Sequence, residues 1–149
     1  MKKNNFAVPH HVLISKPDEL LRVKEEILAE FKNHQAAGEA LCIAVDTEFV
    51  REHSFFPEIG LIQLATRSKS YLIDPVQLSK NDLGPFFDLM LDKDILKIMH
   101  AANSDQEVLY TSYGLVATPS FDTAVAGSLI GFGDSVGLAK LLKEVFRIH

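Results

Sequence analysis

Two acidic side chains stand one residue apart, immediately after an apolar segment of the chain. Asp46 and Glu48 flank Thr47 and follow the apolar segment 41–45. If that segment is a β-strand, the alternation of side chains puts both carboxylates on the same face. Carboxylates this close repel each other unless a cation lies between them, and hard oxygen ligands suit Mg²⁺ or Mn²⁺. A solvated strand end that enters a loop is the simpler alternative interpretation of this pair.

A third acidic residue, Asp105, belongs to a polar segment that begins at His100, directly after the apolar segment 95–99. Ligands tend to bind at the carboxyl ends of strands in α/β sheets, so this position suits a binding site. An acidic residue in the first turn of a helix also complements the helix dipole without any ligand. His100 is open to two interpretations, a structural histidine with a satisfied hydrogen bond or a contact to a substrate phosphate.

Other polar and aromatic positions carry weaker indications. Gln63 interrupts an otherwise apolar segment, so it either meets a buried partner or faces a cleft. Asp122 is most simply the N-cap of a helix. The aromatic residues Phe55 and Phe56 either anchor the loop after the acidic pair or stack on nucleic-acid bases.

The elements that would position these residues follow from hydrophobic periodicity and from capping residues. Apolar segments predict strands at 12–14, 41–45, 61–65, 71–73 and 95–99, and the polar stretch 66–70 predicts a hairpin. Helical spacing predicts helices at 15–31, 82–91, 103–113, 122–130 and 135–146. The predicted caps are Ser15 with Asp18, Asn103 with Gln106, Asp122 and Ser135, and the predicted helix stop is Gly114.

The order of these elements predicts the fold class. Strands that come first as a group and then alternate with helices indicate an α/β domain with a mixed sheet flanked by helices. Segment 41–45 is apolar at every position, as in a central strand that is covered on both faces. We expect residues 1–11 to form a polar tail and residues 12–149 to form a single domain.

Composition places limits on the class of protein. The chain has 149 residues, of which 47% are hydrophobic and 23% charged, which suits one globular domain. A net charge of −5 argues against a protein that coats nucleic acid, but not against an enzyme that grips a strand end through metal ions. The chain has a single cysteine, no long apolar run and no signal-peptide pattern, and these features favour the cytoplasm. One cysteine is also too few for the usual ligand set of structural zinc.

Five segments, taken in order, resemble the motifs of one family of enzymes. They are 45–51, 55–64, 72–75, 100–109 and 121–123, within a match that runs from about residue 12 to residue 146. The first contains Asp46 and Glu48, and the fourth contains Asp105. Together they resemble ribonuclease D, a member of the DEDD superfamily of 3′→5′ exonucleases. The ordered combination is much more specific than any single motif.

The resemblance implies a ribonuclease H-like fold and a two-metal hydrolysis of RNA from its 3′ end to nucleoside 5′-monophosphates. Asp46, Glu48 and Asp105 would be the catalytic ligands of two Mg²⁺ or Mn²⁺ ions. Asp46 would bridge both ions, Glu48 would bind the hydrolytic ion and Asp105 would help to hold the second. The candidates for substrate contact are Phe49, Gln63 and His100. The implied partner is the 3′ end of single-stranded RNA, with DNA as the alternative.

The resemblance is incomplete toward the C-terminus. The family's fourth acid and a tyrosine normally lie in a Tyr-x-x-x-Asp motif, but the residues four positions after the three tyrosines are Pro75, Gly114 and Ala117. We therefore expect a domain that lacks the C-terminal helix of the complete fold and is weak or inactive as a nuclease. Such a domain would expose apolar surface through which it could self-associate. The alternative is a non-catalytic module that binds nucleic-acid ends or a protein partner.

Overall fold

The computed structural model describes residues 10–51, 56–134 and 136–147, which form a six-stranded sheet and five helices. The strands are β1 (His10–Ile14), β2 (Cys42–Val50), β3 (Glu58–Ala65), β4 (Lys69–Ile73), β5 (Leu96–Met99) and β6 (Ser120–Asp122). The helices are α1 (Pro17–Ala36), α2 (Gly84–Leu91), α3 (Asn103–Tyr113), α4 (Thr123–Leu129) and α5 (Leu138–Phe146). None of the helices in these ranges is long and apolar enough to cross a membrane.

The sheet is mixed, with the strand order β1-β4-β3-β2-β5-β6. β2, β3 and β4 form an antiparallel meander, while β1 runs parallel to β4, β5 runs parallel to β2, and β6 runs parallel to β5. The predicted α/β class with a mixed sheet is therefore confirmed. Ala44 and Ile98 are the last paired residues of β2 and β5, so Asp46 and His100 each follow the paired segment by two residues at the same end of the sheet.

Several strand boundaries differ from the prediction. β1 begins at His10, so it includes two residues that we assigned to the tail; residues 1–9 lie outside the described part of the chain. β2 continues to Val50, which places Asp46 inside the strand and not at its end. β6 was not predicted, because a strand of three residues shows no usable periodicity.

Two of the predicted helix caps are wrong. At α1 the side chain of Ser15 does not cap the helix. The Glu19 carboxylate instead accepts hydrogen bonds from the backbone N–H groups of Ser15 and Lys16 at 3.1 and 3.2 Å. At α3 the N-cap is Ala102 without a side-chain cap, and Gln106 instead exchanges two hydrogen bonds with the backbone of Ala117.

The helix stop at Gly114 is confirmed, because this residue has a φ of +71° at the C-cap of α3. The predicted cap Ser135 lies outside the described residues, and the N-cap of α5 is Gly137.

The core lies on one face of the sheet. Buried side chains of α1 and α2, together with Leu109 of α3, pack there against the inward-facing residues of the strands. Along β2 the residues Ile43, Val45 and Thr47 are buried, whereas Ala44 and Asp46 are exposed. The prediction that segment 41–45 is covered on both faces is therefore wrong. Alanine was counted as apolar, but a small side chain can line an open groove as readily as a core.

The predicted amphipathic helix at the C-terminal end is present as α5, but none of its residues is buried. Its apolar stripe remains in contact with water, with Val145 48% exposed and Phe146 55% exposed. The chain that leads into α5 approaches α4 closely at Gly127, where an added Cβ would lie 2.8 Å from a methyl carbon of Val136 and 3.3 Å from Leu141 Cδ1 of α5. A larger side chain at Gly127 would therefore require Val136 to move.

A buried lysine joins β5 to the chain that leads into β6. Lys97 is fully buried, and its Nζ donates hydrogen bonds to the carbonyl oxygens of Asp92, Ile95 and Thr118 at 2.6, 2.8 and 2.7 Å. Burial lowers the pKa of this ammonium group, and the charge of Asp92 partly opposes that effect. Because β5 and β6 carry the residues discussed below, this lysine fixes one wall of the candidate site.

We predict that Lys97→Met lowers the free energy of unfolding by about 2–4 kcal/mol, because it leaves buried carbonyl groups without a donor. Lys93, four residues earlier and exposed, provides the control: Lys93→Met should change stability by no more than about 0.5 kcal/mol. Denaturant unfolding of both variants measures the difference. Equal effects of the two substitutions would contradict a structural role for the Lys97 ammonium.

Candidate active site

The first two predicted carboxylates lie on the open face of β2. Asp46 and Glu48 are both exposed, while Thr47 between them is buried, as strand alternation requires. Asp46 is the cross-strand neighbour of Gln63 on β3, and the Gln63 side-chain nitrogen donates to Asp46 Oδ2 at 2.9 Å. Gln63 therefore faces the cleft, and its partner is the first acidic residue.

The third predicted carboxylate is held against the residue between the other two. Asp105, in the first turn of α3, is only 6% exposed. Its Oδ1 accepts hydrogen bonds from the backbone N–H of Thr47 at 3.0 Å and from the Thr47 hydroxyl at 2.6 Å. Its other carboxylate oxygen makes no hydrogen bond to any described residue. The structure thus attaches α3 to the middle of β2 at the acidic pair.

The pKa of Asp46 depends on its partial burial and on the negative charges around it. Partial shielding of its carboxylate from water raises the pKa of Asp46 above the ordinary value, and the nearby charges of Asp105 and Glu48 raise it further. The backbone N–H of Thr47, and the imidazole of His100 when it is protonated, lower the pKa of Asp46. The net result is that the pKa of Asp46 lies above that of an isolated aspartate.

The donor chemistry of this cluster suits a hard divalent cation. All three side chains offer carboxylate oxygens, and their mutual repulsion is the feature that a bound cation would relieve. Within the described ranges, no three His, Cys, Asp or Glu side chains are already grouped as a metal-binding cluster. The groups that could bind a cation are therefore the exposed carboxylates of Asp46 and Glu48 and the Asp105 oxygen that Thr47 does not contact.

Asp122 connects the end of β6 with the loop that follows β5. It occupies the N-cap position of α4. Its carboxylate accepts four backbone N–H groups, those of Ala101, Ala102, Ala124 and Val125, at 3.0, 2.8, 2.8 and 3.3 Å. These bonds outweigh partial burial and lower the pKa of Asp122. They also hold Ala101 in the left-handed region, at a φ of +54°, and so fix the loop that carries His100.

A groove of about 560 Å³ runs over the open face of the sheet. Its polar residues include Asp46, Gln63, His100 and Thr123, and its apolar residues include Leu72, Ile98 and Leu138. A second cavity of about 540 Å³ lies on the Asp122 side, and His100 lines both.

The remaining candidate for substrate contact, Phe49, does not line either cavity. Its ring instead lies 5.5 Å from the guanidinium carbon of Arg51. Arg51 also forms an ion pair of 2.8 Å with Glu107. Phe55, the other aromatic residue of interest in this region, lies outside the described residues.

Sequence reasoning missed two threonines that organise the site. Thr47 was treated only as a spacer, yet it provides both hydrogen bonds to Asp105. Thr123 was mentioned only as part of a motif, yet its hydroxyl contacts His100 and the end of β5. The available signal was that each threonine directly follows an aspartate that the sequence analysis had selected, Asp46 or Asp122, so that its hydroxyl lies next to a candidate site residue.

Comparison with known proteins gives a consistent set of matches. The sequence model of the 3′-5′ exonuclease family matches residues 18–149. Ribonuclease D of Bartonella henselae is 46% identical over 102 residues, which are 68% of this chain and 25% of that protein. Ribonuclease D of Gluconacetobacter diazotrophicus is 33% identical over 148 residues, which are 99% of this chain and 35% of that protein.

The solved structure of Escherichia coli RNase D, described as an exoribonuclease involved in structured RNA processing, superposes with a TM-score of 0.81 at 30% identity. The match covers 93% of this chain and 34% of that chain. The present chain thus spans between 25% and 35% of the lengths of these relatives.

We predict that Asp46→Asn leaves the metal-free fold unchanged or stabilises it, by no more than about 1 kcal/mol because the site is open to water. The pKa of Asp46 is raised on folding, so its contribution to stability is present at low pH and is lost as the pH rises through the folded-state pKa. The advantage of asparagine should therefore appear near neutral pH and disappear in acid. Unfolding in EDTA, at neutral pH and in acid, measures the difference in stability between Asp46→Asn and the wild type. Asp94→Asn, at an exposed site, is the control. A large drop in the unfolding midpoint of Asp46→Asn alone would identify Asp46 as a structural acceptor for Gln63 instead.

Proposed function

We propose that this chain, which belongs to the 3′-5′ exonuclease family, carries the metal-binding part of a ribonuclease D-type active site that removes nucleotides from the 3′ end of RNA. The family match confirms the resemblance found in the sequence. The observation that carries the proposal is that Asp105 accepts two hydrogen bonds from Thr47, the residue that separates Asp46 and Glu48 in β2. RNA is the proposed substrate because the curated relatives with 33–46% identity are ribonucleases D.

In this proposal Asp46, Glu48 and Asp105 would hold two divalent ions, Mg²⁺ or Mn²⁺. Bound divalent ions supply an activated water and neutralise charge on the scissile phosphate and the leaving 3′-oxygen. The protein groups around them have positioning roles. Gln63 fixes one oxygen of Asp46, and Thr47 fixes one oxygen of Asp105, so each carboxylate keeps its other oxygen for a cation.

The groove beside the acidic cluster is the proposed place for the terminal nucleotide. Gln63 and His100 line it, which supports their role as substrate contacts. The apolar walls at Leu72 and Ile98 offer surface against which a base or sugar could pack. Phe49 lies away from this groove, so its proposed contact would be with a more distant part of the strand.

We propose that the 149-residue chain by itself is a weak nuclease. Its sequence contains no Tyr-x-x-x-Asp motif, which in the family supplies the fourth acidic ligand and a tyrosine. Loss of even a supporting interaction around a metal typically costs about 10–100-fold in affinity or activity. A tyrosine that orients the attacking water also contributes through geometry, since a displacement of about 1 Å can cost about 100-fold.

Two further proposals concern the setting in which the chain acts. Cys42 is a free thiol, which suits a reducing compartment such as the cytoplasm. The exposed apolar stripe of α5, which includes Leu138, Val145 and Phe146, favours association with a second copy of the chain. Burial of such a stripe removes apolar surface from water, which is the main driving force of association.

We predict that the purified chain in Mn²⁺ releases mononucleotides from a short 3′-labelled RNA at least about 100-fold more slowly than a full-length ribonuclease D. Asp46→Ala should abolish the remaining release, because it removes one of the three carboxylates that would hold the ions. Asp94→Ala, at an exposed position outside the groove, should leave the release as it is. Gel analysis of the labelled products measures all three rates.

Each other outcome has a separate meaning. Release at the full-length rate would show that another group, from this chain or a second copy, replaces the missing ligand. Binding of the RNA end without release would favour the alternative of a non-catalytic binding module. A chain that neither binds nor cleaves RNA would contradict the proposed function.

A further inference from the structure

The hydroxyl of Thr123 fixes the position of a proton on His100. Thr123 Oγ1 lies 3.0 Å from the carbonyl oxygen of Met99 and 2.9 Å from His100 Nδ1. A carbonyl oxygen can only accept, so the single hydroxyl hydrogen points to Met99. The hydroxyl then offers only a lone pair to His100, and Nδ1 must be the nitrogen that donates. In the neutral ring the proton is therefore on Nδ1.

This tautomer makes the other ring nitrogen, Nε2, a hydrogen-bond acceptor. His100 is half-buried and lines the groove together with Asp46 and Gln63. No described residue donates a hydrogen bond to Nε2. An ionised phosphate oxygen is itself only an acceptor, so a neutral ring in this state does not bind one through Nε2. The group that fits Nε2 must carry a donor hydrogen, and the hydroxyls of a ribose do.

We propose that Thr123 is a positioning residue that holds His100 in its Nδ1–H form, so that Nε2 accepts a hydrogen bond from a hydroxyl of the terminal ribose. The inference rests on the proposed function, since it assumes that the nucleotide occupies the groove. The inference adds the part of the substrate that His100 recognises, which the proposed function does not specify. It also replaces the phosphate contact that the sequence suggested for His100.

The placement of His100 supports this assignment. His100 and Asp46 line the same groove, so a sugar at His100 would have its phosphate near the acidic cluster. Asp122 holds the adjoining loop through the N–H groups of Ala101 and Ala102, which limits movement of the histidine backbone. A neutral hydrogen bond at such a half-open site corresponds to about a 2- to 10-fold difference in affinity.

The first test measures the tautomer directly and involves no ligand. Long-range ¹H–¹⁵N spectra of the ¹⁵N-histidine-labelled chain, at a pH where the ring is neutral, distinguish a protonated Nδ1 from a protonated Nε2. His100→Phe assigns the signal by its disappearance. We expect the Nδ1–H pattern in the wild type and in Thr123→Ser, and a shift toward Nε2–H in Thr123→Val, where the accepting oxygen is gone. An Nε2–H pattern in the wild type overturns the proposal, even if the variants do not fold.

The second test measures recognition of the sugar. Fluorescence anisotropy in Ca²⁺ compares a short 5′-labelled RNA with the same RNA carrying a 2′-deoxy or a 3′-deoxy terminal nucleotide, with the length of the RNA checked by gel. In the wild type one of the two deletions should weaken binding by about 2- to 10-fold. In His100→Phe and Thr123→Val that ratio should approach one, while Thr123→Ser should keep it. The ratio of the affinities for the complete and the deoxy RNA does not depend on the overall affinity. A purely structural role for Thr123 would therefore lower both affinities and leave their ratio unchanged.

The outcomes separate this proposal from the function beneath it. RNA binding that is equally strong for all three ends overturns the role of His100 and leaves the proposed function intact. A ratio that persists in His100→Phe also overturns it, because another group then recognises the hydroxyl. Failure of the wild type to bind any of the RNAs contradicts the proposed function, whatever the tautomer.

Discussion

Two hydrogen bonds from Thr47 to the carboxylate of Asp105 connect the first turn of α3 to the middle of β2. The backbone N–H and the hydroxyl of Thr47 both donate to the same carboxylate oxygen of Asp105, so backbone and side chain together hold α3 in place. Because Asp46 and Glu48 occupy the neighbouring positions on the open face, this attachment gathers negative charge from two separate parts of the sequence. Partial burial raises the pKa of Asp46, the negative charges of Asp105 and Glu48 raise it further, and a bound cation would relieve that repulsion.

The second half of the site depends on the parallel strands β5 and β6. Lys97 holds the chain before β6 through the Thr118 carbonyl, and Asp122 at the end of β6 holds the loop after β5. Thr123 then joins the end of β5 to the ring of His100. Each of these contacts links residues at least 20 positions apart in sequence, so one wall of the groove depends on non-local hydrogen bonds.

Much of the fold could be predicted because its signals are local. The apolar segments of the hairpin and the helical spacing of α1 indicated real elements, and Gly114 stops α3 through its own backbone preference. The acidic pair was also found locally, since alternation along a strand is enough to place Asp46 and Glu48 on one face. The family resemblance then added Asp105, which local patterns could explain equally well as a helix-dipole effect.

The errors and omissions around the groove and at the start of α3 arose where a residue's role depends on a distant part of the chain. Ala44 is apolar but faces the groove, and Gln106 bonds to Ala117 where a cap for α3 was expected. The pairing of Thr123 with His100 spans 23 residues and has no periodic signature. A single sequence shows which groups could form such bonds, but the choice among them is made by tertiary packing.

The central claim is that Asp46, Glu48 and Asp105 form one divalent-cation site, and paramagnetic broadening by Mn²⁺ tests it most directly. In ¹H–¹⁵N spectra, substoichiometric Mn²⁺ should first broaden the amide signals of residues 46–48 and 105, and excess Mg²⁺ should restore them. The same titration of Asp46→Asn should require much more Mn²⁺ for equal broadening. Broadening centred on other residues, or broadening at the acidic cluster that Asp46→Asn does not alter, would contradict the account.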